Sequence, residues 1–129
     1  MGNCCKSKIL DNFDKNTPNF SLYDYKSKVK ILELYDNYNL LVIIPLFNQY
    51  YKFLIKLANI KMNEIAKKRL LELILTNSKY NSKTINDNVI ISIKCCRINK
   101  HGKLLCWLYP YKTNYEKSFN KILIEENLV

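Results

Sequence analysis

From Lys28 onward, apolar residues gather into runs separated by short polar breaks; before that point they are scattered. Between residues 9 and 27, Phe13, Phe20, Leu22, Tyr23 and Tyr25 follow neither a period of two nor one of 3.6, and Pro18 interrupts the stretch. It reads as a polar tether that docks locally. KVKILELYD, LLVIIPLF and residues 50–58 are short and rich in β-branched and aromatic side chains. With turns at DNYN and at Asn48 and Gln49, they predict three strands in a meander. Pro45 cannot donate to a ladder and belongs at an edge or bulge. Residues 64–77 change period: Ile65, Leu70, Leu73 and Ile74 share one helical face, behind Asn63 as N-cap and Glu64 at the positive end of the dipole. A polar loop at residues 78–88 precedes a fourth strand, NVIISIKCCRI. The turn NKHGK, with Gly102 free to take positive φ, leads to a fifth strand, LLCWLYP. Residues 118–129 close the chain as a short amphipathic helix. Ser118 caps it, Phe119, Ile122 and Leu123 face inward, and Asn127 takes a left-handed C-terminal position before Leu128 docks. Meander, helix, two strands and helix predict a β-rich α+β fold, a five-stranded Greek-key barrel of the OB type with two to three helices.

Composition adds a partner class. The 129 residues include 48% hydrophobic and 25% charged side chains, enough for one domain with a real core. The abundance of Lys, Asn, Ile and Tyr suggests an A+T-rich coding sequence, which would account for part of the lysine and asparagine excess without function. A net charge of +10 still favours nucleic acid, anionic lipid or an acidic protein. No run reaches the roughly 18 apolar residues of a membrane span, and no signal-peptide core opens the chain, so neither a spanning nor a secreted protein is expected. Five cysteines without a C-x-x-C spacing form neither a disulfide framework nor a zinc site. Cys95, Cys96 and Cys106 read as reduced strand residues, at least one of the adjacent pair facing the core. His101, alone in a turn with no second His and no Cys-x-x-C nearby, reads as a turn residue sooner than a metal ligand or base.

The opening MGNCCKSK carries its own signal. Once Met1 is removed, Gly2 is a candidate for myristoylation and Cys4 and Cys5 for palmitoylation, with Lys6 and Lys8 beside them; Lys6 stands where the pattern has Ser or Thr. Two acyl chains, or one with basic residues, hold a protein stably on a bilayer. The expected organisation is an acylation signal and tether over residues 1–27 and a domain over residues 28–129, at the cytoplasmic face of a membrane.

The candidate chemistry lies in YKFLIKLANIKMNE, residues 51–64. Lys56 is a lone cation in an apolar strand and calls for solvent or an anion. Asn59, Lys61, Asn63 and Glu64 follow in a strand-end loop, where sites are commonly built. Four local patterns stand in order: the turn at residues 36–39, KLANIKMNE, NKHGKLLCWLY and FNKILIEENLV. With them residues 28–129 resemble the staphylococcal nuclease (thermonuclease-like) family.

That resemblance implies calcium-dependent phosphodiester cleavage, with two acidic metal ligands, a glutamate that assists the attacking water and two arginines on the scissile phosphate. Here the acidic positions fall on Tyr38 and Lys61, the glutamate is kept as Glu64, and the arginines fall on Lys56 and Lys103. Asp36 and Glu64 are the carboxylates left for a metal, too few for calcium, and Lys61 repels it. Lysine also lacks the bidentate fork of arginine. The expected protein is therefore a membrane-tethered, non-catalytic barrel without a cofactor. It binds phosphates of nucleic acid or anionic lipid through Lys56, Lys61, Lys100 and Lys103, with Tyr38, Tyr35 or Trp107 as stacking surfaces. Two alternatives stay open: an active nuclease using calcium, with Glu64 as base and Lys56 and Lys103 as clamps, and a membrane-surface adaptor for a protein partner.

Overall fold

The computed structural model describes residues 9–17 and 20–129; Gly2, Cys4 and Cys5 lie outside them. From Lys26 onward the strands and helices follow in the order β1 (Lys26–Leu34), β2 (Leu40–Leu46), β3 (Gln49–Leu57), α1 (Glu64–Thr76), β4 (Val89–Ile98), β5 (Leu104–Tyr109) and α2 (Phe119–Glu125). The strands close into a barrel in the order β1-β2-β3-β5-β4. Every seam is antiparallel except β3–β5, where Ile55, Lys56 and Leu57 run parallel to Leu104, Leu105 and Cys106. The predicted OB-type β-rich α+β architecture is the one observed.

Period-two alternation fills the barrel. Val29 and Ile31, then Leu40, Val42 and Ile44, then Ile55 and Leu57 point inward; so do Val89, Ile91 and Ile93, and Leu104, Cys106 and Leu108. Cys95 and Cys106 face each other across the β4–β5 seam, both buried and unbridged, while Cys96 is half-buried. Pro45 sits where its missing N–H costs nothing. The β1 ladder on that side of β2 ends at Ile43, and the Pro45 carbonyl accepts the Tyr25 hydroxyl at 2.6 Å. β1 starts two residues ahead of Lys28, because Asp24 N–H donates to the Cys95 carbonyl and Cys95 N–H to that of Tyr25. Leu22 and Tyr25 also pack on the core, so local docking of the tether begins there.

The second hairpin turns one residue earlier than its sequence suggests. Phe47 and Asn48, not Asn48 and Gln49, are the central pair, both at positive φ (51° and 63°), and Leu46 pairs with Gln49. That is the two-residue geometry whose twist matches the strands. A phenylalanine in the left-handed region gives no local signal for it.

α1 starts as predicted, with the Asn63 Oδ1 accepting from Ala66 N–H at 2.8 Å and the Asn63 Nδ2 donating to the Leu128 carbonyl at 2.7 Å. Its buried face is Ala66, Leu70, Leu73 and Ile74. Ile65, expected inward, is 67% exposed, since it lies about 100° from Ala66 around the helix. α2 differs in the same way: Phe119, Asn120 and Leu123 are buried, and Ile122 is only half-buried. Its end is a full Schellman motif, Asn127 at φ 59° with Leu128 N–H donating to Leu123 and Asn127 N–H to Ile124.

Asn120 explains why a polar residue points inward. Its Oδ1 accepts from Leu108 N–H at 3.1 Å, and its Nδ2 donates to the carbonyls of Ala58 at 3.0 Å and Cys106 at 3.1 Å. One amide thereby ties the end of β3, the middle of β5 and α2 together. It serves backbone groups where the parallel seam runs out.

A cationic cleft at the end of the third strand

Past Leu57 the chain leaves the barrel through Asn59, whose φ of 59° suits asparagine better than other non-glycine residues. Ile60 and Met62 pack back on the core. Lys61 stays exposed between them. This loop is one wall of a cleft of about 460 Å³. Lys56 and Leu105, outward residues of β3 and β5, form its floor; Arg97 and Asn99 form the opposite wall, and Tyr38 of the β1–β2 turn closes one side.

Arg97 is the residue that sequence reasoning missed. Cys95 pairs with Cys106 but Ile98 pairs with Leu104, so β4 carries one residue more than β5 over this interval. Strict alternation would send Arg97 into the barrel with Cys95; the bulge turns it out to the cleft. Only a pattern break, a charge at an inward position of an apolar strand, hinted at it.

Tyr38 takes the third loop position of the β1–β2 hairpin. Tyr38 N–H donates to the Tyr35 carbonyl at 3.0 Å, Tyr35 N–H to that of Asn39 at 2.9 Å, and Tyr38 has φ 68°. Glycine is the usual residue there, and a bulky side chain in it is strained. The Tyr38 hydroxyl lies against Glu64, whose hydrogen bond and charge hold the phenol above its ordinary pKa. Tyr35 is raised likewise by Glu33.

The other expected site residues divide. Lys103 lines the next groove along β3, with Lys52 and Leu54. Lys100 is exposed at the tip of the β4–β5 turn, apart from the cleft lining. Asp36 is fully exposed and lies 3.3 Å from the Lys67 ammonium, outside the cleft lining. Trp107 is on the outer barrel face in another groove, near Lys94 and Tyr115. The structure thus joins Lys56, Lys61 and Tyr38, adds Arg97, and sets Lys103 and Lys100 aside.

Some cations elsewhere are paired. Lys67 has Asp36, Arg69 has Glu72 and Glu126, and Lys117 has Glu125. Lys28 donates to Ser92 and sits over the Tyr111 ring, and burial lowers its pKa. Among the described residues, none of Lys56, Lys61 and Arg97 has a carboxylate within salt-bridge distance. No carboxylate lines the cleft either. A hard cation such as calcium does not fit: it needs several oxygen ligands, Asp36 is paired, Glu64 lies beside Tyr38, and Lys61 faces the same space. Among the described residues, no three His, Cys, Asp or Glu side chains cluster as a metal site. No helix of those residues is long and apolar enough to cross a membrane. No family model, curated protein or solved structure matches the chain.

Proposed function

We propose that this chain is a non-catalytic binding module that holds phosphate groups of nucleic acid in the cleft of Lys56, Lys61 and Arg97. The observation that carries the reading is three cations without carboxylate partners in one cleft. Such charges are satisfied by an anion brought from outside. Arg97 supplies the planar fork suited to phosphate oxygens; Lys56 and Lys61 act as point charges. Tyr38, at the rim, offers a ring on which a base can stack. The location supports a nucleic-acid ligand, because OB barrels use the β1–β2 and β4–β5 loops for oligonucleotides and the cleft takes Tyr38 from one and Asn99 from the other. Lys103 in the adjoining groove extends the cationic path for a polymer of phosphates.

In the same reading the barrel is a thermonuclease-like one in which Tyr38 and Lys61 have replaced the acidic ligands. Glu64 then serves as the first residue of α1 and as the partner of Tyr38, not as a base. The domain is held at a membrane through acyl chains on Gly2, Cys4 and Cys5.

Titrating the full chain into a labelled single-stranded oligonucleotide tests the cleft. Binding is expected, and replacing Lys56, Lys61 and Arg97 together by Gln weakens it by about tenfold or more. Undiminished binding by that variant would move the site elsewhere. Cleavage of the oligonucleotide in calcium, abolished by Glu64→Gln, would overturn the non-catalytic reading. Mass spectrometry of the N-terminal peptide from expressing cells tests the anchor.

A further inference from the structure

The far end of β3 carries a second surface. At the β2–β3 turn, Phe47 is 73% exposed, Tyr50 75% and Tyr51 46%. Phe20, 72% exposed, stacks its ring at a tilt against that of Phe47, with centroids 6.0 Å apart. None of these rings is needed in the core, and Phe47 occupies a left-handed position where Asn, Asp or Gly is the ordinary residue. Phe47 thus breaks the turn preference while its ring, packed only at the surface with Phe20, adds nothing to the core, a pattern found at functional positions.

Charge says what the surface meets. Lys30 pairs with Ile43, and Ile43 with Lys52, so two exposed lysines flank a cross-strand row two residues behind the Pro45–Tyr50 pair and on the same face. No Asp or Glu occurs between Asp36 and Glu64. Rings at the apex and lysines behind them follow the gradient of a bilayer surface: aromatic side chains at the headgroup level and flexible cations reaching phosphates. We propose that the β2–β3 hairpin tip is a membrane-insertion element, Phe47, Tyr50 and Phe20 entering the interface of an anionic bilayer while Lys30 and Lys52 hold lipid phosphates. The surface is distinct from the cleft, since Tyr50 and Lys56 are roughly 20 Å apart along the strand. The contact does not depend on acylation.

The test uses the full chain made without acylation, mixed with phosphatidylserine–phosphatidylcholine vesicles and with phosphatidylcholine vesicles alone. Binding to the anionic vesicles is expected, and the pair Phe47→Asn and Tyr50→Ser lowers partitioning about tenfold. Phe47→Asn alone also raises the melting temperature by about 2–8 °C, because Asn suits the turn, so lost binding cannot be put down to misfolding. Lys30→Gln with Lys52→Gln removes most of the preference for anionic vesicles. In the Phe47→Trp variant the added fluorescence is quenched by nitroxide-labelled acyl chains. Parent-like partitioning by the tip variants, or no vesicle binding by the parent, would overturn the proposal. So would a loss confined to the Lys56, Lys61 and Arg97 variant, which makes the cleft the lipid site. Dissociation of a dimer by the tip variants with unchanged partitioning would assign the patch to a second copy and equally overturn it.

Discussion

Asn120 does more for the fold than its single side chain suggests, because every hydrogen-bonding direction it uses serves backbone that has no other route to satisfaction or only a shared one. Asn120→Ala strands the Leu108 N–H and the Ala58 carbonyl in a dry site. Each such group costs about 1–3 kcal/mol. Urea unfolding is therefore expected to show a loss of about 2–5 kcal/mol for the pair. Asn120→Asp keeps an acceptor for Leu108 but loses both donations, so it falls near Ala and not near the parent. At Tyr38 the balance is different: strain at positive φ is set against the contact with Glu64, and the ring stays at the edge of the cleft. Lys61 stands on one wall of the cleft, with Lys56 on its floor and Arg97 on the wall opposite.

Between elements, the two helices are clasped by charge. Arg69 of α1 holds Glu126 with two hydrogen bonds, Nε to Oε1 at 2.8 Å and Nη2 to Oε2 at 2.9 Å, and it also reaches Glu72. The Arg69 bond holds the Glu126 carboxyl below its ordinary pKa. A carboxylate depressed in the folded state stabilises above its unfolded pKa, about 4.3 for Glu. That contribution is lost as pH falls through the lower folded value. Thermal melts of the parent and Glu126→Gln should differ modestly at neutral pH, as for an exposed pair, and converge in strong acid. Strand and helix identity was legible because β-prone runs such as Leu40–Leu46 and the 3.6 period of Leu70, Leu73 and Ile74 survive locally. Three features escaped that logic. The β4 bulge reverses Arg97 without a glycine to announce it, the β2–β3 turn uses Phe47 where a turn residue belongs, and Asn120 is buried by backbone groups far away in sequence. The site was half visible: Lys56, Lys61 and Tyr38 could be named, while the separation of Lys103 depends on how β5 lies against β3.

At the scale of the molecule the charge of +10 is spread over many exposed lysines, and the cleft gathers three cations that have no carboxylate partner. Binding to a single strand should therefore weaken as salt rises, with a slope of about −0.7 per phosphate engaged. The variant lacking Lys56, Lys61 and Arg97 should show a slope shallower by about 2, whereas Lys83→Gln with Lys112→Gln should change it little. Equal slopes for the two variants would mean a diffuse field and no defined cleft. The parallel β3–β5 seam also has a consequence in time. Its strands lie about fifty residues apart in the chain, so it is a late contact for a folding polypeptide, slowed by loop-closure entropy. Asn120, which secures it, is made later still. During synthesis the meander and α1 can form first, but β3 and β5 keep open edges until α2 arrives. A chain stalled or cut before residue 119 thus presents those edges to its neighbours and is the form most prone to aggregate.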